Sequence, residues 1–340
     1  MTVPRFLLPL VLAGAASGAA FAAAPGLPAY GADPQQTSVS GLSSGAFMAV
    51  QLQVAYSSSI VGAGVVAGGP YYCAANNLLF AEICMGQVPF FPPNPTLMAS
   101  AAKDFADARL IDPLASLANR RVYVFSGTDD SVVRQSAVNA TASFFRQVGV
   151  KGKNLKYVNT VPAGHALITP SFGNDCSANA APYISHCSVA GRGYDQAGEV
   201  LQHIYGALRP RVPAPGGQIV SFDQRAYAAA PSGMADTAYL YVPRSCVAAG
   251  AHCKVHVALH GCLQSAESVG DKFYTDTGYN NWADNNNLLV LYPQVDKSTS
   301  PSNPQGCWDW WGYTGGNYAN KSSPQMKAII AMANRLAQKE

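Results

Sequence analysis

The stretch SVSGLSSGAFM, residues 38–48, decides the fold. Within it Gly41-Leu42-Ser43-Ser44-Gly45 matches G-x-S-x-G, and it stands between a short strand at 37–39 and a helical pattern at 46–55. In that context the glycines permit a sharp, strained turn that lifts the Ser43 hydroxyl out of a sheet and aims the backbone N–H of Ser44 at a developing oxyanion. The five-residue pattern also occurs in Gly/Ser-rich loops, so its setting carries the reading. A turn of this kind normally follows several strands of a parallel sheet, yet only about forty residues precede it.

The strands that follow are legible as Val-rich apolar runs bounded by Gly, Asp or Pro: 62–69 (GAGVVAGG), 121–127 (RVYVFSG) and 155–161 (LKYVNTV). Near-continuous apolar runs suit strands buried on both faces of a parallel sheet. Helical patterns at 131–147 and 196–208 alternate with them, which predicts an α/β fold. The segment 208–217 (LRPRVPAPGG) breaks the pattern with three prolines and two glycines. Beyond it, Gln218–Asp223, Thr237–Val242, 255–260 (VHVALH) and Leu288–Tyr292 read as strands and 275–285 as a helix. A last helix is expected at 324–339, with Ser323 as N-cap, Pro324 at its first position and an apolar face of Ile329, Met332, Ala333 and Leu336.

A serine is a weak nucleophile unless an imidazole held by a carboxylate takes its proton. The strand at 121–127 runs into Thr128-Asp129-Asp130-Ser131-Val132-Val133, and the strand at 155–161 into Pro162-Ala163-Gly164-His165, the order and placement an acid and a base require. Asp130 is preferred over Asp129 because Gly127, Asp130 and Val133 fit G-x-x-D-x-x-V. His165, beside Gly164 at a strand end, is the candidate base. His186, His203, His252 and His256 lack such a setting.

The second oxyanion donor should follow another strand, often at a His-Gly pair, and Val255-His256-Val257-Ala258-Leu259-His260-Gly261-Cys262 supplies one. It lies more than two hundred residues after the serine instead of before it. If the chain is cut at the Pro-rich segment and its ends are rejoined, residues 218–340 supply the opening strands and the oxyanion loop, followed by the serine, acid and base. The chain therefore reads as one circularly permuted α/β-hydrolase domain at 24–340, with a mostly parallel sheet, helices on both faces, and 209–217 as the tether between the ancestral ends.

The remaining composition narrows the setting. Charged residues make up 12% of 340, the formal net charge is +3, and no Lys/Arg run exceeds two, so nucleic acid is not an expected partner. Residues 1–23 carry Arg5, an apolar run and an Ala-rich end, the layout of a signal peptide, which predicts export to the periplasm or medium without stable membrane insertion. Eight cysteines fit disulfides in an exported protein. Cys73 and Cys84, Cys176 and Cys187, and Cys246 and Cys253 would close compact loops, leaving Cys262 and Cys307, although spacing alone does not fix connectivity. No C-x-x-C or His/Cys cluster has zinc-site spacing, so no metal is expected, and hydrolysis through a serine requires no cofactor.

GLSSG near the start of the mature chain, GTDDSVV, PAGH, VALHGCLQS and CWDWWGY together resemble the extracellular poly(3-hydroxybutyrate) depolymerases whose catalytic domain is circularly permuted. The resemblance covers nearly the whole mature chain. It implies hydrolysis of a polyester, with Ser43, His165 and Asp130 as the triad, the amides of Ser44 and Cys262 as oxyanion hole, and Trp308, Trp310 and Trp311 as candidates for holding polymer. Many bacterial members carry an added linker and polymer-binding domain. Neither is expected here, so adsorption would fall to Tyr71-Tyr72, Pro89-Phe90-Phe91-Pro92-Pro93 and the tryptophans. A monomer is expected. Rival substrates are feruloyl or acetyl esters on carbohydrate and short soluble esters; the rival from another class is a non-catalytic surface-binding protein on the same scaffold.

Overall fold

The structure, a computed structural model, describes residues 24–339 apart from 230 and 249; the expected signal peptide lies outside the described residues. Its centre is an eight-stranded sheet made of β1 (Thr37–Leu42), β2 (Ile60–Val66), β3 (Arg121–Phe125), β4 (Leu155–Val158), β5 (Gln218–Asp223), β6 (Thr237–Val242), β7 (Lys254–Leu259) and β8 (Leu288–Tyr292). Their order across the sheet is β5-β6-β8-β7-β1-β2-β3-β4. Only β6 opposes its neighbours, pairing antiparallel with β5 and β8; the remaining pairs are parallel. Every residue of β8 is buried, as its unbroken apolar run predicts, and so is every residue of β1 despite its two serines, whereas the edge strand β4 is only half-buried.

Helices cover both faces. Ser38 and Ser40 of β1 point to one side, where their hydroxyls meet Tyr205 at the end of α4 (Gln196–Tyr205) and Tyr279 at the start of α6 (Tyr279–Ala283). On the other side α1 (Ser44–Ala55) packs on β1, β2 and β7 and is buried around its whole circumference, which its apolar composition tolerates. Helices α2 (Pro95–Asp107) and α3 (Gln135–Gln147) pack on each other, and α3 also lies on β3 and β4. Helix α7 (Pro324–Ala337) is capped by the Ser323 hydroxyl, which accepts from the Met326 N–H, and buries Ile329, Met332, Ala333 and Leu336.

The expected helix over 275–285 is two short ones, α5 (Lys272–Asp276) and α6, because Gly278 at φ 89° turns the chain between them. Helix α3 begins at Gln135 instead of 131, since the preceding residues form a turn that is tied down by Arg134 N–H to Met85 O. The first and last described segments lie together: Tyr30 and Ala32 donate to Leu336 O and Gly31 to Gln338 O. The 209–217 segment is pinned along α6 and the turn after it, where Asn281, Asn285 and Asn286 donate to its carbonyls and Asp284 accepts from Gly216 and Gly217.

Candidate active site

Strands β1, β3, β4 and β7 are parallel, so the loops that leave their carboxyl ends share one edge of the sheet. Ser43 follows β1, Asp130 follows β3, His165 follows β4 and Gly261-Cys262 follow β7. Ser43 takes φ 57° and ψ −123°, an outlier for a residue with a side chain. The turn exists because two neighbours lack a Cβ. One on Gly41 would lie 2.3 Å from the Gly45 carbonyl, and one on Gly45 would lie 2.4 Å from the carbonyl oxygens of both Leu259 and His260. The G-x-S-x-G spacing thus presses the elbow against the end of β7.

Asp130 is buried and divides its carboxylate. Oδ1 accepts from the N–H groups of Val132 and Val133 at 2.8 and 2.9 Å, and Oδ2 accepts from His165 Nδ1 at 2.8 Å. Asp129, the alternative acid, has an exposed side chain. With Nδ1–H given to the carboxylate, Nε2 is the ring nitrogen of His165 with a lone pair to accept a proton. His165 lines a cavity of about 110 Å³ together with Ser43, Ser44 and Cys262.

Ser44 is the first residue of α1, where N–H groups have no intrahelical partner. The N–H groups on either side of Cys262 are committed, Gly261 to Gln264 Oε1 at 2.7 Å and Leu263 to Gln305 O at 2.7 Å. His260 Nδ1–H donates to Gly261 O, the carbonyl of the same peptide that carries the Cys262 N–H, while its Nε2 accepts from Val295 N–H. Burial holds the His260 ring neutral, with its pKa lowered to about 4. Gln264 donates onward to the carbonyls of Pro182 and Tyr183. The quoted run VALHGCLQS contains both supporting residues, but pattern alone gave His260 and Gln264 no role.

The cavity wall is apolar: Phe47, Met85, Val132, Val133, Leu263 and Trp310. Trp310 stacks on Phe47 with ring centres 4.3 Å apart, and half-buried Trp311 meets Trp310 edge-on without lining the cavity. Trp308 corrects the expectation that it faces substrate: it is wholly buried in the core beside His260. The alternation follows from Asp309, whose buried carboxylate accepts from the N–H groups of Trp311, Gly312, Tyr313 and Thr314 and winds the segment into a tight loop. Tyr71 is also a core residue, its hydroxyl donating to Ala319 O, and Tyr72 is wedged between Phe105 and Tyr318. Phe90 and Phe91 are exposed, at 98% and 67%.

Four disulfides join Cys73 to Cys84, Cys176 to Cys187, Cys246 to Cys253 and Cys262 to Cys307. The last fastens the loop after β7 to the tryptophan segment. No group of metal-ligating side chains occurs among the described residues, and no helix there is long and apolar enough to cross a membrane.

No family model matches the chain. It is 47% identical over 336 residues to the poly(3-hydroxybutyrate) depolymerase of Delftia acidovorans, covering 95% of this chain and 65% of that protein. It is 40% identical over 337 residues to the polyhydroxybutyrate depolymerase of Talaromyces funiculosus, covering 94% of this chain and 95% of that one. The crystal structure of the PHB depolymerase from Penicillium funiculosum superposes with a TM-score of 0.84 at 39% identity, and a PHB depolymerase with a serine-to-alanine substitution in complex with an R3HB trimer does so at 0.85. Each of these comparisons covers 92% of this chain and 98% of the other. About 40% identity over nearly the full length of both chains, with a fold that superposes at a TM-score of 0.84, makes this chain a member of the polyhydroxybutyrate depolymerase family.

Proposed function

We propose that this protein hydrolyses the ester bonds of poly(3-hydroxybutyrate), or a related short-chain polyhydroxyalkanoate, through an acyl-enzyme on Ser43. The observation that carries the reading is the 2.8 Å bond from His165 Nδ1 to buried Asp130, with His165 and Ser43 lining one small cavity. Ser43 Oγ attacks the ester carbonyl while His165 Nε2 takes its proton. The amides of Ser44 and Cys262 hold the tetrahedral oxyanion, each such donor contributing about 3–4 kcal/mol to lowering the barrier. Collapse breaks the ester C–O bond and His165 returns the proton to the departing alcohol end. Water, deprotonated by the same imidazole, then cleaves the acyl-serine to the carboxylic acid and restores Ser43. Asp130 holds the imidazole tautomer and stabilises its protonated form. No cofactor takes part.

The apolar wall around Trp310 suits a polyester with few hydrogen-bonding groups. Exposed Phe90 and Phe91, with Leu78 and Leu79 at 61% and 83% exposure, offer apolar area for contact with a solid. Similarity to depolymerases named for this polymer favours it over sugar esters. The direct test is a panel: the enzyme clears a suspension of amorphous PHB granules and releases no acid from feruloylated or acetylated xylan. The reverse pattern would reassign the substrate.

The circular permutation is part of the same proposal. Started at Gln218 and carried through the joined ends, the strands take the spatial order first-second-fourth-third-fifth-sixth-seventh-eighth, so chain order and sheet order differ by a single exchange. The hydrogen bonds between residues 30–32 and the end of α7 support a former continuity there, and the pinned 209–217 strap fits a later join. One catalytic domain at 24–340, exported after loss of residues 1–23, completes the reading; four disulfides favour an oxidising compartment.

A further inference from the structure

We propose that Asn179 is a positioning residue that locks the acid and base turns to each other; the inference rests on reading Ser43, His165 and Asp130 as the triad. Asn179 lies inside the loop closed by the Cys176–Cys187 disulfide. Its Oδ1 accepts from the backbone N–H of His165 and from that of Ser131, each at 2.9 Å. Its Nδ2 donates to the carbonyls of Asp129 and Ser177, at 3.1 and 3.0 Å. One amide therefore holds the residue before the acid, the residue after it and the base itself. Both donors and both acceptor positions are used, and the opposite amide orientation would set N–H against N–H.

The sheet does not do this job. The last ladder pair between the strands that carry the two turns is Phe125 with Val158, five residues before Asp130 and seven before His165. Past that point the turns are joined by Thr128 N–H to Val161 O and Asp129 N–H to Ala163 O, and Asn179 closes the connection at the functional residues. The loop that presents it is itself fixed, by its disulfide, by Gly164 N–H to Cys176 O, and by Asn174, whose amide donates to the carbonyls of Ala180 and Ala181. Without the Asn179 amide, the two turns can move apart and the imidazole shifts relative to Ser43. A displacement near 1 Å is enough to cost about 100-fold in rate. Asn179 does not line the cavity that holds Ser43 and His165, so KM for a small ester is expected to change little.

The test measures kcat and KM on a soluble short-chain p-nitrophenyl ester, with thermal midpoints, for wild type, N179A, N179D and N174A. N174A disturbs the same loop without touching either turn. Asn179→Ala lowers kcat by about 10- to 100-fold with KM within about twofold, and N174A lowers it far less at a comparable or larger loss of thermal stability. N179D keeps the two accepted bonds but sets a carboxylate oxygen against the carbonyls of Asp129 and Ser177, so it also lowers kcat relative to wild type. Wild-type kcat in N179A, or an equal loss in N174A, overturns the proposal while leaving the triad reading in place. A wild-type protein whose Ser43 reacts with no fluorophosphonate probe overturns the triad reading itself.

Discussion

Gly45 and His260 are in direct backbone contact: a Cβ on Gly45 would sit 2.4 Å from the His260 carbonyl oxygen. The turn that carries Ser43 and the loop after β7 are more than two hundred residues apart in the chain, and this contact holds them against each other, next to the proposed nucleophile and oxyanion donor. Gly45→Ala must push the two loops apart. It is expected to lower stability by about 1–3 kcal/mol, the usual cost of overpacking, and to reduce kcat more than it raises KM. Urea unfolding and steady-state kinetics on a soluble ester check both parts.

Within the proposed triad, removal of the nucleophile and removal of the orienting charge have different signatures. Ser43→Ala abolishes turnover and leaves the fold intact; because Ala keeps a Cβ, the strain at φ 57° is not relieved and stability does not rise for that reason. Asp130→Asn retains the side-chain volume but reverses the tautomer of His165, for which a loss of about 10⁴-fold in kcat is expected. Circular dichroism should be unchanged in both variants.

Acid should weaken the fold through two buried rings. His256 bridges the Ser38 and Ser40 hydroxyls at 2.7 Å on each nitrogen, and burial lowers its pKa from 6.5 to about 3; His260 is lowered to about 4 by the same cause. Both lie below their unfolded value, so the unfolded chain binds more protons at pH below about 6.5. The stability gained by keeping the rings neutral is complete above that pH and declines as pH falls toward 4, by on the order of 1.4 kcal/mol per unit for each ring. Denaturant midpoints measured from pH 7 to pH 4.5 give the slope. His256→Gln is expected to start lower at pH 7 and to decline less steeply.

The aromatic surfaces divide by role. Trp310→Ala removes the wall that stacks on Phe47 and should raise KM for soluble and solid substrates alike. The double change F90S/F91S removes exposed apolar area, so its loss on granules should exceed its loss on a soluble ester by about tenfold or more. Sedimentation of enzyme with granules measures adsorption separately from catalysis.

Much of this site was legible because local backbone rules generate it. Gly41 and Gly45 are required by close approach, Asp130 by a turn whose N–H groups need an acceptor, and β2, β3 and β8 by near-continuous apolar runs. The early position of the serine, odd for an ordinary sheet, pointed to the strands encoded after residue 217. The residues that resisted reading sit in irregular segments, where neither the period of a helix nor that of a strand applies. Trp308 and Trp310 look alike in CWDWWGY, and only the loop wound around Asp309 and the bridge from Cys262 to Cys307 separate core from cavity wall. Asn179 was invisible for a related reason, since its four partners come from three turns brought together by the fold.

The measurement that bears most directly on the central claim is mass mapping of the acyl-enzyme. Wild-type protein is mixed with a p-nitrophenyl ester of a hydroxybutyrate oligomer, quenched in acid within the first turnover and digested. The account predicts an acyl adduct confined to the peptide that contains Ser43, absent in Ser43→Ala, together with loss of granule clearance in the same variant. An adduct on another residue, or granules cleared at the wild-type rate by Ser43→Ala, would contradict it.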